Sequence, residues 1–197
     1  MPLTLAVVAG FLAGSLRAAL RGKELQVPAL SHSWIVLAAL IPQILVFQIP
    51  STGQGIPLVW AKGILIGSQI LLLGFVWANR TQSGFWLLGL GLGLNLLVIL
   101  LNGGLMPISP ESASYVYHQT APQDWIIGSR LGSGKDIVLN TSDIWFEILS
   151  DRFHLPGWFP VRVAFSLGDV LISVGAFSLL WHAGKSTLEE RIPVTQP

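Results

Sequence analysis

The chain alternates long apolar runs with short polar connections. The apolar runs cover residues 3–20, 33–49, 58–77, 85–101 and 163–182. Each has 17 residues or more, and an α-helix of that length crosses most or all of the roughly 30 Å of hydrocarbon in a bilayer. The pattern therefore predicts an all-α fold, an integral membrane bundle of five transmembrane helices that forms a single domain over residues 1–184.

The composition supports this prediction. The 197 residues are 52% hydrophobic and only 11% charged, whereas soluble domains have about 25% charged residues. No basic patch is present, which argues against a nucleic-acid partner. The absence of cysteine excludes thiolate metal sites and cysteine nucleophiles. The expected partner is the lipid bilayer.

The basic residues at the ends of the runs predict an orientation. They cluster after the first run, after the third run and in the tail, as Arg17, Arg21, Lys23, Arg80, Lys185 and Arg191. The connection 103–161 carries three bases against six acids. Because basic connections stay on the cytoplasmic side, the N-terminus is expected outside and the C-terminus inside, with residues 185–197 as a disordered cytoplasmic tail.

The outer segment, residues 103–161, is too long to be a bare connection, and loops of this length usually carry structure or function. Within it, the stretch 142–153 places its large apolar side chains on one side of a helix, as Ile144, Trp145, Ile148 and Leu149. We expect a structured outer segment that contains this short amphipathic helix.

Small residues recur on three of the predicted spans. They are Ala6, Gly10, Gly14 and Ala18 on the first, Gly63 and Gly67 on the third, and Gly89, Gly91 and Gly93 on the fourth. Small residues four positions apart let two helix backbones approach closely. The contacts that they predict could form within one bundle or with other membrane-protein subunits.

The last run carries one carboxylate, Asp169, on a helical stripe with Arg162 and Ser166. An unpaired charge at the bilayer centre costs about 2.5 to 3.5 kcal/mol on the milder insertion scale. The stripe should therefore face other helices or a wet cavity, which makes Asp169 the first candidate for function.

Further polar residues are expected on the same outer side. They are Asn95, Asn102, Asp151, Arg152, Arg162 and Ser166. In one interpretation, Arg152, Arg162 or Asn95 satisfies Asp169, and the network fixes helix packing or binds a ligand. In the other, Asp151 and Asp169 share a site and act as the two carboxylates of an aspartyl hydrolase.

Two other features of the sequence bear on whether the chain holds a cofactor or a metal. The segment Gly132-Ser-Gly-Lys135 is similar to the end of a phosphate-binding loop, but Ser129 and Asp136 stand where that motif needs Gly and Ser or Thr. The four histidines are far apart in sequence and show no metal-ligand spacing. We therefore expect no metal and no cofactor.

Two motifs carry a resemblance to known families. Asn102-Gly-Gly-Leu-Met-Pro107 and Ser166-Leu-Gly-Asp-Val-Leu-Ile172 resemble an uncharacterised bacterial family of small polytopic membrane proteins, known as a domain of unknown function. This resemblance covers most of the chain and implies a multi-pass protein of the bacterial plasma membrane. It implies no activity.

The stretch Phe165 to Gly175, together with Asp151, is also similar to signal peptidase II, the lipoprotein signal peptidase. That resemblance implies Asp151 and Asp169 as a catalytic dyad. Ser166 and Gly168 stand where that family has Asn and Ala. The leading hypothesis is a non-catalytic accessory subunit or a binder of a small molecule or lipid, with an outer polar pocket around Asp169. The alternative is the intramembrane aspartyl hydrolase.

Overall fold

The computed structural model describes residues 2–20, 29–53 and 55–183. This part of the chain forms seven α-helices: α1 (Pro2–Leu20), α2 (Trp34–Phe47), α3 (Pro50–Gly53), α4 (Leu58–Ala78), α5 (Phe85–Leu101), α6 (Pro110–Val116) and α7 (Leu167–His182). The prediction of a mainly helical chain is confirmed. The predicted tail 185–197 and the basic residues Arg21 and Lys23 lie outside the described residues.

The five longer helices pack in the order α2, α4, α5, α7, α1. Their apolar side chains form two clusters, one around Leu65, Val98 and Ile99 and the other around Phe75 and Phe85. Burial of these side chains supplies the main favourable free energy of packing among the helices.

Helices α5 and α7 touch along their backbones because glycines stand at the crossing. A Cβ atom at Gly91 would lie 2.5 Å from the carbonyl oxygen of Gly168, and one at Gly175 would lie 2.7 Å from that of Gly84. The predicted close approach of helix backbones holds at Gly10 on α1, where a Cβ atom would lie 3.0 Å from Phe177 Cα of α7, and at Gly91 on α5. The space beside Gly93 on α5, and beside Gly63 and Gly67 on α4, is open.

Helix α4 is, within the described ranges, the one helix long and apolar enough to cross a membrane by length and composition. Helices α2, α5 and α7 are apolar but shorter, as is the described apolar stretch Leu5–Leu20 of α1. Large apolar side chains nevertheless remain exposed on several helices, including Leu12 at 63%, Trp60 at 67% and Trp86 at 67%.

The segment between α5 and α7 contains two small sheets. Strand β1 (Met106–Ile108) pairs in parallel with β2 (Asp136–Val138), and β3 (Phe153–His154) pairs antiparallel with β4 (Ala164–Phe165). Met106, Ile137 and Leu149 join the same apolar cluster as the α4 and α5 side chains. The segment is therefore packed onto one end of the helices.

The predicted amphipathic helix over residues 142–153 is wrong. This stretch contains two short 3₁₀ turns, Thr141–Asp143 and Glu147–Leu149, and Phe146 between them has a left-handed φ of 56°. The side chain of Asn102 accepts a hydrogen bond from the Trp145 backbone N–H at 2.9 Å. A side chain that captures a backbone group in this way competes with helix formation. The segment's short helix is α6 instead.

Candidate functional site

The first group of polar side chains joins α5 to the start of α7. Asn95 donates from Nδ2 to Asp169 Oδ1 at 3.0 Å, and its Oδ1 accepts from the Ser166 hydroxyl at 2.9 Å. Asn95 and Ser166 are buried, while Asp169 is half-buried. The sequence-predicted residues Asn95, Ser166 and Asp169 are thus brought together.

The start of α7 holds this group in place through a capping box. The Ser166 hydroxyl accepts from the Asp169 backbone N–H at 3.0 Å, and Asp169 Oδ2 accepts from the Ser166 backbone N–H at 3.1 Å. Reciprocal bonds of this kind satisfy two backbone donors that would otherwise have no partner at the helix N-terminus. They fix the Asp169 carboxylate on the side of α7 that faces α5.

The second group lies in the segment between α5 and α7. Lys135 Nζ is 2.6 Å from Asp151 Oδ2 and 3.3 Å from Asp136 Oδ1. Strand pairing places Lys135 here, since its carbonyl oxygen accepts from the Met106 backbone N–H at 3.0 Å. The Asp151 backbone N–H donates to the Pro107 carbonyl oxygen at 3.2 Å.

The second group has one basic side chain, Lys135, and two acidic ones, Asp136 and Asp151. Burial on its own lowers the pKa of Lys135, but the carboxylates of Asp136, Asp151 and Asp169 outweigh it and raise that pKa well above its usual value. Burial raises the pKa of Asp151 well above its usual range, since Asp151 is only 2% exposed; the nearby Lys135 ammonium opposes this shift, and the carboxylates of Asp136 and Asp169 add to it. Lys135 therefore stays charged, and Asp151 holds its proton more tightly than a free carboxyl does.

A cavity of about 340 Å³ lies between the helices and ends at both groups. Its walls are mostly apolar side chains from α2, α4, α5 and α7, among them Leu40, Leu65, Leu72, Leu92 and Ile172. Its polar lining residues are Gln43, Gln69, Asn95, Lys135 and Asp169. An apolar cavity with a few polar groups at one place is the usual form of a small-molecule site.

Two glutamines on the cavity wall differ in their hydrogen bonding. Gln43 on α2 donates from Nε2 to the Ser68 hydroxyl of α4 at 2.6 Å. Gln69 is about nine-tenths buried, and its Oε1 has no hydrogen-bond partner in the described part of the chain. An unpaired buried amide oxygen costs about 1 to 3 kcal/mol, so a donor that reached it would be favourable.

The other predicted site residues lie apart from the cavity. Asn102 binds the backbone of Trp145, Arg152 pairs with Glu147 at 3.1 Å, and the Arg162 guanidinium lies 5.7 Å from the ring centre of Tyr115. None of these three residues lines the described cavity. Only the aspartyl-hydrolase interpretation places Asp151 and Asp169 on one site. In the structure the charge of Asp169 acts on Asp151, but each carboxylate has its own partner, Lys135 and Asn95 respectively.

Sequence reasoning missed Lys135 and Gln69. In the sequence Lys135 stands in a pattern similar to a phosphate-binding loop, but a lysine in an acidic connection is also a natural partner for a buried carboxylate. Gln69 stands in the middle of an apolar run, where a polar side chain usually faces another helix or a cavity. That signal was present in the sequence.

Comparison with known proteins gives one match. A family model described as "Family of unknown function (DUF5317)" matches residues 28–181. This range contains both motifs that carried the resemblance to an uncharacterised family, and that prediction is confirmed. Neither the curated proteins nor the solved structures gave a match.

Proposed function

We propose that this chain, which belongs to the DUF5317 family of unknown function, is an integral membrane protein that binds a small amphiphile in the cavity beside Asp169. The observation that carries the proposal is the cavity itself, in which apolar walls end at Asn95, Lys135 and Asp169. Such a lining favours a ligand with an alkyl body and a polar head.

The membrane part of the proposal is a five-span bundle with the N-terminus outside and the C-terminus inside, in the plasma membrane of a bacterium. Its support is the exposed apolar surface of the helices, exemplified by Trp60 and Trp86, together with the excess of acids in residues 103–161. Helix α2 has 14 residues, about 21 Å. The predicted span 33–49 extends beyond this helix by one residue at its start and two at its end.

Binding is favoured over aspartyl hydrolysis by the partners of the two carboxylates. A hydrolytic dyad needs Asp151 and Asp169 to reach one water. Here Lys135 holds Asp151, and Asn95 with the Ser166 backbone holds Asp169. A lipopeptide cleavage by the purified protein that is lost in Asp169→Asn would support the hydrolase instead.

The test compares the small molecules that co-purify with the wild-type protein and with two variants in maltoside micelles. Leu40, on α2, lines the cavity, and Leu37, one turn earlier, is 61% exposed and does not line it. Leu40→Trp fills the cavity, whereas Leu37→Trp is the matched control. Mass spectrometry of the extracted small molecules should show one amphiphile at the same molar ratio to protein in the wild type and in Leu37→Trp. This molar ratio should be severalfold lower in Leu40→Trp. The same extract from all three proteins would contradict the proposal.

A further inference from the structure

More carboxylates than ammonium groups lie around Lys135, at the polar end of the cavity. Among the described residues that line the cavity, Lys135 and Asp169 are the charged ones. The carboxylates of Asp151 and Asp136 lie beside Lys135, 2.6 and 3.3 Å from its Nζ. Even when Asp151 is protonated, the carboxylates of Asp136 and Asp169 outnumber this one ammonium. Charge complementarity therefore disfavours a ligand whose head is an anion.

Acceptor capacity at the same end of the cavity remains unused within the described part of the chain. Lys135 already donates to Asp136 and Asp151, two of the three bonds that an ammonium can donate. Asp169 accepts one bond on each carboxylate oxygen, about half of its capacity. Gln69 Oε1 is buried without a donor in the part of the chain that the structure describes.

From these two observations we infer that the ligand is an amphiphile whose head is an ammonium group and carries no anionic group. The ammonium would donate to Asp169 and bring a donor within reach of Gln69, while the alkyl body lies against the apolar wall residues of α4 and α5. This inference rests on the proposed function and adds the chemical class of the ligand.

The experiment uses three probes with the same 12-carbon chain and different heads. Dodecylamine, dodecanol and dodecanoate are titrated separately into the full chain in maltoside micelles, and binding is followed by calorimetry. Leu40→Trp reports partition into the micelle alone. We expect wild type to bind dodecylamine about tenfold more tightly than dodecanol, since both heads can donate to Asp169 but only the ammonium also pairs a positive charge with the carboxylate, and to bind dodecanoate most weakly.

Asp169→Asn keeps the size of the side chain and removes its charge. In this variant the ratio between dodecylamine and dodecanol affinities should fall close to one. Gln69→Leu is the second variant, and it also serves if Asp169→Asn does not fold. It should reduce the ratio between the dodecylamine and dodecanol affinities severalfold. An unchanged ratio in a folded variant would overturn the inference.

Other outcomes separate the inference from the proposed function. If dodecanoate bound most tightly, the inference of an ammonium head would be wrong. It would also be wrong if all three probes bound equally and this binding were lost in Leu40→Trp. In both cases the cavity would still be a binding site. A 12-carbon lysophospholipid with an ethanolamine head should bind more weakly than dodecylamine because its phosphate is anionic, and tighter binding would overturn the inference. If no probe shows saturable binding, the proposed function fails as well.

Discussion

Asp151 is a buried carboxylate that is only 2% exposed. One of its oxygens has no hydrogen-bond partner among the described residues. A carboxyl whose pKa rises on folding keeps its proton where the unfolded chain, with a pKa of about 3.9, has lost it. The folded state then binds more protons, so the free energy of unfolding decreases as pH rises.

Asp151→Asn removes this titration and should change the pH dependence of stability. Relative to Asp151→Asn, the wild-type protein should lose free energy of unfolding as pH rises from 5 toward the folded pKa, by up to about 1.4 kcal/mol per pH unit. Thermal or denaturant unfolding in micelles at pH 5 to 8 measures the difference. Asp124 is exposed, and Asp124→Asn serves as the control. Parallel profiles for the wild type and Asp151→Asn would show that Asp151 is ionised throughout.

For single residues, the sequence predicted the side-chain contacts of Asp169 better than those of Lys135. Asp169, Ser166 and Asn95 lie on regular helices or at a helix start, so helical spacing and the cost of a carboxylate in an apolar run point to their pairing. Lys135 reaches Asp151 only because β1 and β2 pair across a long connection. No periodic pattern in the sequence encodes that contact.

Among the elements, the crossing of α5 and α7 depends on the absence of side chains at Gly91 and Gly168. Gly91→Ala should lower the free energy of unfolding by about 1 to 3 kcal/mol, because the new Cβ would meet the Gly168 carbonyl oxygen and the α5–α7 backbones must separate. Gly93→Ala, on the same helix with open space around it, should be neutral or stabilising, since Ala is the better helix former. Equal destabilisation by both changes would contradict a backbone contact at Gly91.

Arg130 links the segment between α5 and α7 to helix α2. Its guanidinium donates to the carbonyl oxygens of Val46 at 3.0 Å and Gly53 at 3.3 Å and lies over the Phe47 ring at 5.0 Å. The Val46 carbonyl is in the last turn of α2, where carbonyl groups lack partners within the helix. Arg130 therefore ties one wall of the cavity to the loop that carries Lys135.

Arg130→Met should lower the free energy of unfolding by roughly 2 to 3 kcal/mol, because charged hydrogen bonds to backbone carbonyl groups are lost. The matched change Arg152→Met removes only a partly exposed pair with Glu147, which is worth about 0 to 1 kcal/mol. Thermal unfolding of the two variants side by side tests the difference. A loss for Arg130→Met no larger than that for Arg152→Met would show that the link contributes little.

Secondary structure was predictable where one pattern dominates. The long apolar runs predicted the five longer helices. Helix α6 was not predicted, although Ser109 with Pro110 is a helix-start signal, and the Ser109 hydroxyl accepts from the Ser112 backbone N–H at 3.2 Å. Residues 142–153 have a helical apolar pattern, but the Asn102 side chain binds the backbone at Trp145. A contact 43 positions away overrode the local pattern.

For the whole molecule, the orientation in the membrane is a prediction that the cysteine-free sequence makes convenient to test. Ser142 lies in the segment between α5 and α7, Ser83 lies between α4 and α5, and both are exposed. In intact cells a membrane-impermeant maleimide should label Ser142→Cys, whereas Ser83→Cys should react only after lysis. Labelling of Ser83→Cys in intact cells would reverse the orientation, and labelling of both would contradict the five-span arrangement.

The most direct measurement of the central claim is photolabelling with an alkyl amphiphile that carries a diazirine in its chain, followed by peptide mapping. An occupied cavity predicts covalent label on its wall residues Leu72, Leu92 and Ile172, and this label should disappear with excess unlabelled amphiphile and in Leu40→Trp. Label found only on exposed side chains such as Trp60 and Trp86, unaffected by either, would contradict a binding site between the helices.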